Sequence, residues 1–358
     1  MKNRFNVIGL MSGTSLDGLD LAYCEYRLHG RNWRFSIKNA ETIRYSAKWR
    51  DKLGNAHLIS AAELVALHHA YGKYLGETVR DFVSRHQLSK PNFIASHGHT
   101  VFHQPGRGFT FQLGDANAIH AASGLPVIAD FRALDVALGG EGAPLVPIGD
   151  HLLFSDHDVC LNLGGIANLS RVRGREREAF DICFCNMSLN YLMNMKGKAY
   201  DNGGETASKG AINNQMLDVL RRVYKPLRRK RPSLGREIFE EAIKPLLDNA
   251  DISVEDKLAT CVESTAEEIV AAVSEHKANS LLCTGGGAFN AFLLTRMLDK
   301  IGDRTAIVVP DDDIVKFKEA LVFGFLGVLR FLGKNNCLSS VTGAERDSSG
   351  GVIVGLHC

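Results

Sequence analysis

The chain has no long apolar run. Its longest, residues 320–329, is about half of the ~20 residues needed to cross a bilayer, so a membrane span is not expected. No secretory apolar core follows Met1. Lys2-Asn3-Arg4-Phe5-Asn6 runs straight into a strand-like segment, and a cytoplasmic chain is the expectation. There is no excess of charge of one sign. With 42 basic against 40 acidic residues the net charge is +2, which gives no reason to expect a nucleic-acid or membrane partner. The one basic run, residues 225–231, holds five cations in seven positions with no aromatic residue interleaved, and it reads as solvated surface. Paired-cysteine motifs are missing too. Eight cysteines are scattered, mostly in apolar stretches such as 158–161 and 281–283, as buried reduced thiols would be. Only Cys183 and Cys185 lie close together, and C-x-C is neither a zinc nor a redox spacing. No glycine-rich segment is followed by the Gly-Lys-Ser/Thr of a Walker A loop. Gly9-x-x-x-Gly13 has the wrong spacing for a dinucleotide fingerprint and opens a hairpin instead of a helix.

What is present is an ordinary globular balance, 45% hydrophobic and 23% charged, over 358 residues. That length exceeds what one core usually covers, so two lobes are expected. Residues 5–10 read as a buried strand, 11–19 as a polar turn and 20–26 as the return strand of a hairpin. Residues 60–85 carry Leu64, Leu67, Tyr71, Leu75, Val79 and Phe82 at helical spacing. Short strands are expected at 93–96 and 126–130. Residues 158–172 repeat the opening design of strand, glycine turn and strand, a weak internal echo that suggests duplication. A helix is expected at 257–276, a buried strand at 280–283, a glycine turn with a helix to about residue 298, and an apolar helix at 316–332. On that last helix Gly324 and Gly327 mark places for close backbone packing. The pattern is α/β with mixed sheets. The boundary is placed near the glycine-rich run 132–147. This makes residues 1–132 one lobe, completed by 334–358, and residues 133–333 the other.

Three glycine-rich turns follow apolar strands: residues 9–18, Gly164-Gly165 and Gly285-Gly286-Gly287. Amides in such turns can converge on a phosphate because no Cβ obstructs approach. One alone is merely a tight turn; three, spread over both halves, point to a phosphate site. His97, His99 and His103 form an H-x-H-x3-H string. With no acid or thiol nearby in sequence it reads as cleft-lining or strand-capping and not as a metal centre. On a regular strand, His97 and His99 would point the same way.

A resemblance then becomes specific. Gly9-Leu10-Met11-Ser12-Gly13-Thr14-Ser15-Leu16-Asp17-Gly18-Leu19-Asp20 resembles the opening signature of the anhydro-N-acetylmuramic acid kinases. So do Ser96-His97-Gly98-His99-Thr100, Phe111-Gln112-Leu113-Gly114, Ala129-Asp130-Phe131-Arg132, the run 135–147, Leu161-Asn162-Leu163-Gly164-Gly165-Ile166-Ala167-Asn168 and Gly285-Gly286-Gly287-Ala288-Phe289-Asn290. They stand in the family's order and cover nearly the whole chain. The resemblance implies a two-lobed hexokinase/actin/Hsp70-like (ribonuclease H-like) fold closing over ATP and Mg2+. Gly13, Thr14 and Ser15 would face the γ-phosphate, Gly164 and Gly165 the β-phosphate, and Gly285, Gly286 and Gly287 the nucleoside. The implied reaction opens the 1,6-anhydro bridge of the sugar with water and phosphorylates the freed O6, in peptidoglycan recycling. The family places the base that activates the water at Asp181, which taken alone reads as a strand-end aspartate capping a turn. Thr100, Arg132, Asn186 and Glu319 fall at substrate positions, with Arg132 matched to the lactyl carboxylate. Taken alone, Arg132 is a surface or salt-bridge residue and Glu319 a helix-dipole partner. Asp17 would reach Mg2+ through water, since Met11 stands where the superfamily often carries an aspartate. A homodimer is implied as well. One departure stands out: the family commonly reads Gly-Pro-Gly-Asn after the base, whereas this chain reads Cys183-Phe184-Cys185-Asn186. Two alternatives stay open beside the family reaction: a same-fold kinase for another sugar or amino sugar, and a nucleotide-binding regulator without turnover.

Overall fold

The computed structural model describes residues 3–13, 16–174 and 176–356. The strands in chain order are β1 (Arg4–Ser12), β2 (Gly18–His29), β3 (Asn32–Arg44), β4 (Phe93–Gln104), β5 (Phe109–Leu113), β6 (Val127–Ala129), β7 (Val159–Leu163), β8 (Ile166–Arg173), β9 (Glu176–Phe184), β10 (Ser280–Thr284), β11 (Ala306–Val308) and β12 (Val352–Val354). They form two mixed sheets, one in each of two compact units. The first sheet runs β12-β6-β4-β1-β2-β3, with β5 paired to β4; the second runs β11-β10-β7-β8-β9.

The internal echo has a structural counterpart. In each sheet an antiparallel meander of three strands is followed by parallel strands. β3-β2-β1 leads to β4 and β6 in one, and β9-β8-β7 leads to β10 and β11 in the other. The third strand of the first meander, β3, is not among the expected elements. β3 has a mostly half-exposed burial pattern, so it lacks the apolar runs that mark β1 and β7.

The first unit comprises residues 1–154 and 317–358, the second 155–316. This division differs from the expected one. Residues 133–154 and 317–333 belong with the first unit because they are stitched into it. Lys318 Nζ lies 2.7 Å from Asp150 Oδ1 with both groups buried, and Phe154 packs edge-on to Phe35. Asp135 accepts from the amide of Gly142 and from the Thr342 hydroxyl. The chain's last strand, β12, pairs antiparallel with β6.

Each face of the first sheet buries one long helix. The helix Ala61–Arg85 starts with a reciprocal cap between Ser60 and Glu63. It buries Leu67, Tyr71, Leu75, Val79 and Phe82 against Ile8 and Leu10 of β1. The helix Asp312–Phe331 covers the other face. A Cβ on Gly9 would stand 1.9 Å from the carbonyl oxygen of Ala320, and one on Gly324 2.4 Å from the Tyr26 hydroxyl. Only paired glycines allow so close an approach of strand and helix. The Tyr26 hydroxyl then donates to the Leu321 carbonyl at 2.6 Å. In the second unit the helix Val254–Ser274 is buried on most of its surface, as a central core helix is.

Candidate active site

In the first unit the loop between β1 and β2 is the first glycine-rich turn. Gly13 and Asp17 are described and Asp17 is exposed; Thr14 and Ser15 lie outside the described residues. Ser12, the last residue of β1, is buried in a relay of side chains. The Tyr45 hydroxyl donates to Ser12 Oγ at 2.8 Å, and the Tyr45 and Tyr71 hydroxyls are 2.6 Å apart. Ser12 Oγ lies 3.0 Å from His99 Nδ1. Since Tyr45 supplies its proton to Ser12, Tyr71 donates to Tyr45, and the Ser12 hydroxyl is free to donate to Nδ1. The ring proton of His99 is thereby placed on Nε2. Burial pushes His99 down to about 4 and Tyr45 up to about 12, so both are neutral at physiological pH.

Asp20 was missed by the sequence reading. Register pairs it with Met11 across the hairpin, so an aspartate does stand at this level of the hairpin, on the second strand. Burial raises its carboxyl; the Thr42 hydroxyl, donating at 2.6 Å, opposes this, and the charge of Asp17 adds to it.

His97 and His99 do not point the same way. The Gly98 backbone, at φ +75°, and the register shift of β1 against β4 between Leu10 and Ser12 break the alternation. His99 meets Tyr71 on the face of the helix Ala61–Arg85, and His97 meets Phe323 on the face of the helix Asp312–Phe331. His103 is exposed on β4, with Nδ1 3.1 Å from Thr110 Oγ1. Among the described residues, no three His, Cys, Asp or Glu side chains are grouped as a metal site.

Arg132 is not a surface residue. Its Nε donates to His97 Nε2 at 2.9 Å, its Nη1 to the Gly142 carbonyl at 2.7 Å, and its plane lies over the Phe323 ring. Burial lowers it to about 10, with Glu319 acting in the opposite direction, and it remains charged at neutral pH. Glu319 falls just after the break in its helix at Phe317 (φ −114°, ψ 16°). Glu319 is exposed, yet desolvation around its carboxyl raises it, opposed by Arg132 and assisted by Asp20. Thr100 sits on β4, 3.4 Å from the Gln112 amide that faces it from β5. Asp17, Asp20, Arg132 and Glu319 are thus brought into one electrostatically coupled group by the first unit.

In the second unit Asp181 lies within β9 and not at a strand end. Its Oδ2 accepts from the Leu234 amide at 2.8 Å. Burial holds its carboxyl above the ordinary range, against that hydrogen bond. Asn168, which the sequence reading did not single out, is its cross-strand partner beside a bulge. The Gly164 and Gly165 carbonyls accept the amides of Cys185, Asn186 and Met187 at 2.9–3.1 Å. Among the described residues no hydrogen bond uses the Gly164 or Gly165 N–H groups, which suits amides reserved for an anion. Asn186 is built into the same corner: its Nδ2 donates to the Leu163 carbonyl at 3.0 Å. Gly285 takes φ +80°, and a Cβ there would stand 2.5 Å from Asn162 Oδ1; one on Gly287 would stand 2.7 Å from the Leu163 Cβ. The second hairpin and the turn at Gly285, Gly286 and Gly287 therefore form one packed substructure.

Cys183, Phe184 and Cys185 are buried in the core of the second unit. Their backbone is not left-handed, so glycine is not required there. The thiols, raised by burial, are core side chains.

Two mixed sheets of the same strand order, each with a glycine-rich hairpin, suit an α/β phosphate-binding protein. The sequence profile described as anhydro-N-acetylmuramic acid kinase matches residues 5–355. A protein of that name from Francisella tularensis subsp. novicida is 33% identical over 94% of this chain and 95% of its own length. Another from Shewanella sp. (strain ANA-3) is 34% identical over 97% of each. This chain belongs to the anhydro-N-acetylmuramic acid kinase family. Among solved structures, the activator of the 2-hydroxyisocaproyl-CoA dehydratase from Clostridium difficile, with bound ADPNP, aligns over 88% of this chain and 91% of its own. The TM-score of that alignment is 0.43, at 14% identity.

Proposed function

We propose that the chain adds water to 1,6-anhydro-N-acetylmuramic acid and transfers the γ-phosphoryl group of ATP to the freed O6, giving N-acetylmuramic acid 6-phosphate and ADP. The observation that carries this reading is the family match along the whole chain. Asp181 is the base. Its carboxyl is half-buried and raised above the ordinary carboxylate range by that burial, which makes it a stronger proton acceptor once ionised. It withdraws a proton as the water attacks C1, and the C1–O6 bond breaks. The departing O6 forms its new bond to the γ-phosphorus, so a separate acid for the leaving oxygen is not required, unlike in an inverting glycosidase. Gly13, Thr14 and Ser15 take the γ-phosphate, Gly164 and Gly165 the β-phosphate, and Gly285, Gly286 and Gly287 the nucleoside. Arg132 pairs with the lactyl carboxylate, and Thr100, Asn186 and Glu319 bound the sugar.

Mg2+ is commonly held by one or two carboxylates together with substrate phosphates. Asp17 and Asp20 fit that donor set, whereas an all-protein cage does not. When bound, the ion would neutralise charge on the phosphates. We further infer a homodimer acting in the cytoplasm in peptidoglycan recycling. No helix of the described residues is long and apolar enough to cross a membrane.

The departure at Cys183-Phe184-Cys185 does not argue for another sugar, because those side chains are spent in the core. The test is ADP release from ATP and Mg2+ with and without the anhydro sugar, with the product weighed. A gain of one water and one phosphoryl group is expected. ADP release indifferent to the sugar, or a product lacking the water, rejects the reading.

A further inference from the structure

Arg132 is a half-buried cation with a desolvated guanidinium that forms no ion pair among the described residues. A desolvated charge is costly unless its protons are satisfied or an anion lies against it; Glu319 offsets that cost without pairing directly. Two of its N–H groups are committed, Nε to His97 and one on Nη1 to Gly142. The two on Nη2 donate to nothing among the described residues, so one edge of the fork is fixed and the other left to a ligand.

The protons on His97 can be assigned from its neighbours. Nδ1 lies 2.9 Å from the Gly98 carbonyl, which can only accept, so Nδ1 carries the ring proton. Nε2 must then present its lone pair, and it receives Nε–H of Arg132. The Gly98 carbonyl faces the ring because Gly98 adopts φ +75°, where a Cβ would meet the Leu113 carbonyl at 2.4 Å. The Phe323 ring packs against His97 and lies beneath the guanidinium, so the ring has little room to turn.

We propose that His97 is a positioning residue: it holds Arg132 by a neutral acceptor so that the free edge of the guanidinium is aimed at the anionic group of the sugar. Resting on the reading of Arg132 as the partner of the substrate carboxylate, the proposal adds how that partner is selected. Neutrality is the important property. An aspartate or glutamate at position 97 would orient Arg132 equally well but would cancel the charge the substrate needs. A histidine whose second nitrogen is protonated by the backbone arrangement orients the guanidinium and leaves its full charge available.

The test compares two sugars, 1,6-anhydro-N-acetylmuramic acid and the same anhydro sugar without its lactyl ether, as substrates or, where turnover is absent, by inhibition constant. His97→Leu should lower kcat/KM for the lactyl sugar by about 10-fold to 100-fold and change the lactyl-free sugar less than about twofold. His97→Gln, whose side-chain oxygen can reach the Nε2 position, should restore most of the loss. At neutral pH the 15N spectrum of the wild-type imidazole should show Nδ1 protonated and Nε2 unprotonated, a readout independent of turnover. Equal losses on both sugars, an unaffected lactyl sugar, or a protonated Nε2 would each overturn the proposal. A wild-type enzyme that prefers the lactyl sugar while His97→Leu keeps the same preference rejects the role of His97 and leaves the Arg132 reading standing. A wild-type enzyme with no preference rejects both. Thermal melting of both variants separates misfolding from loss of recognition, and the wild-type spectrum decides the tautomer if neither variant folds.

Discussion

Asp181 carries the sharpest consequence at the scale of single residues. Asp181→Asn keeps the size of the side chain and removes the proposed base, so sugar-dependent turnover should fall by about 10²–10⁴-fold while ATP affinity, read by calorimetry, stays unchanged. As the proposed base, Asp181 should also set the acid limb of the wild-type rate profile. Burial raises it and the base must be ionised, so kcat/KM should fall as pH drops through a value above the usual carboxylate range. A limb at an ordinary aspartate pKa would contradict this. His99 gives a pH effect on stability. Its folded-state value is depressed from 6.5 to about 4, so the unfolded chain binds its proton more readily. That contribution is complete above about 6.5 and is lost as pH falls toward 4. The fall in denaturant stability over this window should be shallower in His99→Asn, which keeps an acceptor near Nδ1 but cannot titrate there.

Among the elements, the relay behind the first hairpin and the strand–helix contact at Gly9 are open to measurement. Tyr45→Phe deletes the hydroxyl linking Tyr71 to Ser12 and leaves buried polar groups short of a partner. About 1–3 kcal/mol of stability should be lost in urea unfolding, with a raised KM for ATP because Ser12 adjoins the loop at Gly13. Gly9→Ala would drive a methyl group into the backbone of the helix Asp312–Phe331. The expected cost is about 1–3 kcal/mol, visible as a lowered melting temperature; no loss would mean that β1 and this helix do not pack as described. That helix joins the two units in sequence, with its break at Phe317, and the segment on the far side of the break carries Glu319. Glycine pairs on the last helix were readable in the sequence as points of close approach, but what approaches them was not. β3 was unreadable for a different reason: a half-exposed edge strand has little apolar periodicity to betray it.

For the whole molecule, the duplicated sheet order gives each unit a glycine-rich hairpin at the same topological place, between the first two strands of its meander. In solution the homodimer should sediment at twice the chain mass; a monomer at micromolar concentration would reject that assignment while leaving the chemistry untouched.

Glycine turns after apolar strands and the helical periodicity of residues 61–85 are local patterns. Local sterics and amphipathicity write them directly into the chain, so the α/β class, the two units and the three turns could all be read there. Motif order supplied the proposed roles of Asp181 and Arg132. Other features depended on pairings between distant segments. The parallel register of β4 with β6, Ser96 opposite Ala129, brings His97 to Arg132 across 35 positions. The bulge between Leu10 and Ser12 sends His97 and His99 to opposite faces. The antiparallel register of β1 with β2 sets Asp20 opposite Met11. Burial, which decides whether a histidine is charged or a carboxylate is raised, is a property of the packed molecule, since it depends on which residues from elsewhere in the chain displace water from the group.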